Sequence, residues 1–299
     1  MSWLSGAALF LVSAAALVVE IVAGRMLAPY VGMSLYTWTA IIAVVLAGLS
    51  AGNWIGGRLA EAAAARARVG IALLLAAAAC AATPLLVRAL SGPLLALGWN
   101  PIAAIVTLTA ALFLAPSLLA GVASPVLTKL AVDAAPAHAG RAIGRMYALG
   151  AAGSIVGALA AGFLFISWLG TVRTILAVSA LYAVLGLVLL QRRRVAAVLV
   201  GLAAGAAAWA GDSLASPCRV ESDYYCIRVD DFSRESGREA AVLVLDHLGH
   251  GINDRAEPRL LYSSYLQFAD ELAHRRFGAE DISAFFIGGG AFTLPRAWA

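Results

Sequence analysis

The sequence predicts an α-helical polytopic membrane domain of about seven transmembrane helices, followed by a partial α/β domain. Three observations carry this. The chain is 62% hydrophobic and 13% charged, with a mean hydropathy of +0.87, whereas soluble domains carry about 25% charged residues. The charges are unevenly placed: residues 1–210 hold twelve Lys/Arg and three acids (Glu20, Glu61, Asp133), and residues 211–299 hold nine Arg and fourteen acids. An apolar run from Ile282 to Ile287 leads into Gly288, Gly289 and Gly290, a pattern with which nucleotide-binding α/β domains begin. The sequence pI of about 9.2 averages a basic membrane part and an acidic tail. Loop arginines account for the basic part, so it is no signature of nucleic-acid binding.

A crossing takes about 20 apolar residues. Seven segments qualify: 3–24, 35–57, 69–90, 101–128, 146–168, 171–190 and 195–211. The first lacks a basic start and reads as a span rather than a cleaved leader. The second carries Gly48, Gly52 and Gly56, and the fifth Gly153, Gly157 and Ala161. Small residues at a spacing of four let helix backbones approach closely in lipid. Static packing is the plain reading of these faces; helices that rock in transport are the functional one. Pro116 and Pro125 mark the fourth segment as kinked or broken. Glu20, Arg25, Lys129 and Asp133 fall near span ends, where side chains reach the interface at little cost. Asn53 lies deep in the second span. Cys80 reads as a small apolar filler of the third, and Trp38, Trp99, Trp168 and Trp209 as interface aromatics.

Loop arginines set the orientation. Loops after the second, fourth and sixth spans carry Arg58, Arg66, Arg68, Lys129, Arg141, Arg145 and Arg192 to Arg194; the others carry only Arg25, Arg88 and Arg173. The N-terminus is therefore expected in the cytoplasm of a cell with this protein in its inner membrane, and seven crossings put the tail outside. Cys218 and Cys226 bear on the same point. They would bridge in an oxidising compartment and stay free thiols in the cytoplasm.

The expected division is a membrane domain over 1–211, a linker over 212–217 and a tail domain over 218–299. In the tail, Tyr224 to Val229 alternates as a strand does, Asp230 to Arg238 is a polar turn region, and Glu239 to Asp246 is a second strand. Tyr262 to Phe277 has helical spacing. The run 282–287 is then the first Rossmann-type strand, ending at the glycines.

Four features follow one another: Glu221-Ser-Asp-Tyr224, Val244-Leu-Asp246, Tyr262 and Gly288-Gly-Gly290. In this order the tail resembles a spermidine synthase. Ser34-Leu-Tyr-Thr-Trp38 and Gly140-Arg-Ala-Ile-Gly-Arg-Met-Tyr147 extend the resemblance to the membrane half, and Gly56-Gly-Arg-Leu-Ala-Glu61 resembles the loop between the second and third spans of major facilitator transporters. The whole is similar to the fused major-facilitator/spermidine synthase family. That resemblance implies aminopropyl transfer from decarboxylated S-adenosylmethionine, or a related nucleoside, to a polyamine. It implies ligand contacts from Tyr224, Asp246, Tyr262, Gly288, Gly289 and Gly290. The chain departs from the family pattern at Tyr225, His247, Ser263 and Ala291; the last replaces a carboxylate. The family's ribose acid, adenine-side acid and catalytic aspartate would fall beyond Ala299, so no catalytic residue is assigned.

Plainer roles stand beside these. Asp246 could cap a turn, and Tyr224, Tyr225 and Tyr262 could pack the β unit against the helix. His247 and His250 lack a third ligand for a metal, so none is expected. The expected partners are the bilayer and a polyamine or nucleoside ligand, with no nucleic acid and a homo-oligomer left open. The first functional expectation is a spermidine synthase-like membrane protein. The alternative is a transporter or membrane scaffold with a non-catalytic extracytoplasmic sensing domain.

Overall fold

The computed structural model describes residues 2–191, 216–278 and 282–299. It divides into two compact units, Met1–Ser216 and Pro217–Ala299.

The first unit is helical. Its helices are α1 (Ser2–Val31), α2 (Leu35–Ala60), α3 (Ala65–Ala96), α4 (Pro101–Gly121), α5 (Ala123–Asp133), α6 (Ala139–Ala160) and α7 (Ile166–Leu189). A 3₁₀ turn, Pro136–His138, precedes α6, and a π-helical turn, Ala161–Phe165, joins α6 to α7. Among the described residues, five continuous helical stretches are long and apolar enough to cross a membrane. Large apolar side chains such as Leu46, Trp54, Leu75, Ile155 and Phe163 face outward. A helix surface of this kind belongs in lipid, because water would not tolerate so much contiguous apolar area. The molecule is a membrane protein.

Of the seven expected segments, the fifth and sixth fall in a single one of these stretches. The last apolar stretch runs from Pro136 to Leu189, 54 residues, about 80 Å if straight against a hydrocarbon core of about 30 Å. It is not straight. Gly170 adopts φ 73° and ψ 175°, which interrupts the helical path. Across it, the Thr174 hydroxyl donates to the Phe165 carbonyl at 3.3 Å, although nine residues of unbroken helix would separate them by about 13 Å. The chain thus doubles back at Gly170, between the expected segments 146–168 and 171–190. The segment expected at 195–211, with Trp209, lies outside the described residues.

The fourth expected span is broken, as its prolines suggest. The break separates α4 from α5 at Val122. The ring of Pro125 clashes with the carbonyl four residues back, at Gly121, where α4 ends. Pro116 stays inside α4. The first helix runs beyond residue 24, to Val31, so Glu20 and Arg25 sit part-buried within α1.

Three helix pairs form the frame: α1 with α6, α2 with α4, and α3 with α7. Glycines let each pair close. A Cβ on Gly48 would lie 2.8 Å from Ser117 Cβ, one on Gly56 2.6 Å from the Val122 carbonyl, and one on Gly52 would overlap the Leu118 carbonyl. Gly153 and Gly157 of α6 rest on the Phe10 and Ala14 carbonyls of α1. Gly70 and Gly186 face each other between α3 and α7. Around these contacts Val22, Leu27, Ile41, Leu73, Leu108, Phe113 and Ile175 make one fully enclosed core.

The second unit is a four-stranded antiparallel meander of β1 (Val220–Glu221), β2 (Cys226–Asp231), β3 (Ala240–Leu245) and β4 (Leu248–Asp254). A short helix, α8 (Ser233–Ser236), turns β2 into β3; α9 (Ser264–Phe277) and α10 (Thr293–Trp298) follow. The two expected strands and the expected helix are present, with β4 in addition. The first Rossmann-type strand is not formed: residues 282–287 are irregular and pair with no strand. A strand is stable only when its backbone groups have a neighbour, and every described ladder here is antiparallel and lies elsewhere. Phe285 and Ile287 are consequently more than 90% exposed.

Candidate functional site

The six residues singled out from the sequence do not converge on one point. Asp246 and Tyr224 lie at one end of the sheet. Asp246 follows the last residue of β3, and Leu245 pairs with Ile227 of β2. Asp246 is buried with φ 55°, and its carboxylate Oδ1 accepts from the Cys226 N–H at 2.9 Å. Its own N–H donates to the Cys226 carbonyl at 2.8 Å. It caps the two-residue turn into β4 and fastens that turn to β2. Beside it, a disulfide joins Cys218 to Cys226. Tyr224 stands in the β1–β2 turn, 78% exposed.

Tyr262 lies at the opposite end, six residues of β3 away, or about 20 Å. Its hydroxyl donates to Asp254 Oδ2 at 2.9 Å. Asp254 ends β4 opposite Ala240 and is 1% exposed. Four donors surround its carboxylate: the Ala256 and Glu257 N–H groups at 2.9 and 2.8 Å, Arg238 Nε at 2.9 Å, and the Tyr262 hydroxyl. The Glu257 N–H first, then Arg238, hold the Asp254 carboxyl far below the usual carboxylate range. Tyr262 is pushed the other way, by desolvation and by donating to the carboxylate. An acid with every lone pair engaged is a structural hub, and it leaves little for a ligand.

The glycines sit on the middle of β4. The register slips between Leu243 and Val244, so that His250 is an extra residue on β4. Gly290, with φ 52°, packs on the His250 carbonyl, which a Cβ would approach to 2.7 Å. On the other side of this contact, a Cβ on Gly251 would lie 2.7 Å from Ala291 Cβ. Asn253 Nδ2 donates to the Ala291 carbonyl at 2.9 Å, and Arg296 Nη1 to the Asp254 carbonyl at 2.8 Å. The turn is thus docked on the sheet by its backbone.

Next to the glycine turn, between α9 and α10, lies a cleft of about 490 Å³, within the range of small-molecule sites. Phe277, Phe286 and Trp298 supply apolar walls; Asp270 and Arg259 supply charge, and His274 a polar ring. Trp298 Nε1 donates to Asp270 Oδ1 at 2.6 Å, and His274 Nδ1 stands 3.5 Å from the same oxygen. The Phe286 and Trp298 rings are 5.6 Å apart and tilted. A carboxylate flanked by aromatic faces can hold a cation, and the faces can stack on a flat ring. None of the six expected residues lines the cleft. Asp270 and His274 were legible only as polar positions of a helix, and nothing in the sequence brought Trp298 next to them. Among the described residues, no group of three or more His, Cys, Asp or Glu side chains is placed to hold a metal.

Comparisons of the chain with protein-family models, curated proteins and solved structures found no match.

Proposed function

We propose that this is a membrane-bound protein with a spermidine synthase-like tail that binds a polyamine or nucleoside-type ligand, without completing aminopropyl transfer in the described residues. The observation that carries this is the aromatic and acidic cleft beside the docked glycine turn. Asp270 would face the cationic part of the ligand, and Trp298 and Phe286 its flat or apolar part. The resemblance in element order supports the reading. Ala291, in place of the family's carboxylate, speaks against catalysis. Isothermal titration of the detergent-solubilised full chain with decarboxylated S-adenosylmethionine, methylthioadenosine and spermidine tests it. At least one should bind, and Asp270→Asn should weaken a cationic ligand. Silence with all three ligands overturns the reading.

A second reading is a transporter or scaffold with a non-catalytic extracytoplasmic domain. The Cys218–Cys226 disulfide favours it, because such bonds persist in oxidising compartments, where an intracellular nucleoside is scarce. A topology reporter fused after Ala299 separates the two: a cytoplasmic signal favours a ligand drawn from the cytoplasm, an external one the sensing domain.

A further inference from the structure

At the junction of α5 and α6 the first unit holds a cavity of about 400 Å³, remote in sequence from the tail and unrelated to its cleft. Ala131 and Ala135 form one wall, Met146 is buried, and His138, Arg141 and Arg145 supply the polar lining. Arg141 and Arg145 are one helical turn apart on α6, about 6 Å along its axis. No carboxylate lines the cavity. The nearby acid in sequence, Asp133, is already taken: Lys129 Nζ contacts both its oxygens at 2.6 Å. Among the described residues, therefore, no acid lines the cavity to neutralise the two arginines, and a guanidinium is shaped for two-point contact with phosphate.

The position adds a second argument. Loop arginines put this junction on the cytoplasmic face, where anionic lipids concentrate. Immediately along α6, Ile143 is 42% exposed and Tyr147 77% exposed. Both lie on the face of α6 turned away from the arginines, and an exposed apolar side chain and an amphipathic ring at this depth of the helix match the boundary between headgroup and acyl chain. We propose that this cavity binds the phosphate of an anionic phospholipid headgroup, gripped by Arg141 and Arg145 with His138 at the rim.

The test is native mass spectrometry of the full chain in detergent, titrated with phosphatidylglycerol or phosphatidylcholine. The wild type should retain phosphatidylglycerol in preference to phosphatidylcholine. The double variant Arg141→Gln/Arg145→Gln should lose that retention by roughly thirtyfold, at about fivefold per surface cation. Arg68→Gln, in a different cytoplasmic loop, should leave it unchanged, and Arg141→Lys/Arg145→Lys should recover part of it while reporting that the fold is intact. Equal retention by wild type and double variant, or equal retention of the two lipids, overturns the proposal. Displacement of the lipid by millimolar inorganic phosphate would also overturn it, in favour of a soluble phosphate ligand.

Discussion

At the scale of single residues, Asp254 shows how one side chain organises a domain edge. Its carboxylate collects two backbone donors, a guanidinium and a phenol, and so joins β4, the β2–β3 turn and the approach to α9. Its folded pKa is depressed, so its contribution is present above the unfolded value, about 3.9, and fades as pH falls through the lower folded value. Tyr262 has the opposite sign. Its folded pKa is raised, so its contribution is present below about 10 and is lost as pH rises through the higher folded value. The tail should therefore hold a broad plateau between about pH 4 and pH 10 and loosen at both ends. Hydrogen exchange of the full chain over residues 238–262 measures this. Asp254→Asn should raise exchange there about tenfold at neutral pH, from the loss of charged hydrogen bonds, and should remove the acid limb of the profile. An acid limb unchanged in the variant would assign it to another group.

At the scale of elements, the glycine faces make a sharper claim than composition does. Gly52 and Gly57 are neighbours on α2 with opposite surroundings. A Cβ on Gly52 runs into the Leu118 carbonyl of α4, whereas a Cβ on Gly57 meets nothing within 4 Å. Gly52→Ala should cost about 1–3 kcal/mol through overpacking, and Gly57→Ala should be neutral or stabilising by about 0.5–1 kcal/mol through helix propensity. Thermal unfolding of the two variants in one detergent checks the pair, and equal shifts would refute the packing account. These faces were legible because a spacing of four survives any error in helix ends. The boundaries were less so: α1 runs on through Pro29, and the reversal at Gly170 leaves only a single glycine in the sequence. In the tail, β4 escaped notice because Leu248-Gly-His-Gly-Ile alternates poorly, and because Asp246-His247 makes a two-residue hairpin without the usual glycine. The run 282–287 read as a strand because it is apolar, yet strand formation depends on a neighbour that no local pattern supplies. The cleft was invisible for the same reason: Asp270 and Trp298 meet across 28 residues of chain.

At the scale of the whole molecule, the remaining question is on which side of the membrane the tail lies, and two independent signals bear on it. With the fifth apolar stretch doubling back at Gly170, the described helices amount to six crossings ending near Gln191, if α4 and α5 cross together. By the nine-to-three excess of loop cations, the N-terminus is expected in the cytoplasm. The Cys218–Cys226 bond calls for an oxidising surrounding. On the second reading of function the tail is expected outside the cell. Cys80 is the other cysteine, and it is fully buried in the membrane unit, so thiol counting in intact cells is simple. A membrane-impermeant maleimide should label no thiol in untreated cells and two after an impermeant reductant, with Cys218→Ser/Cys226→Ser blank in both. Labelling that appears only after lysis, without reductant, would place the pair in the cytoplasm as free thiols. It would turn the cleft towards ligands drawn from the cell interior.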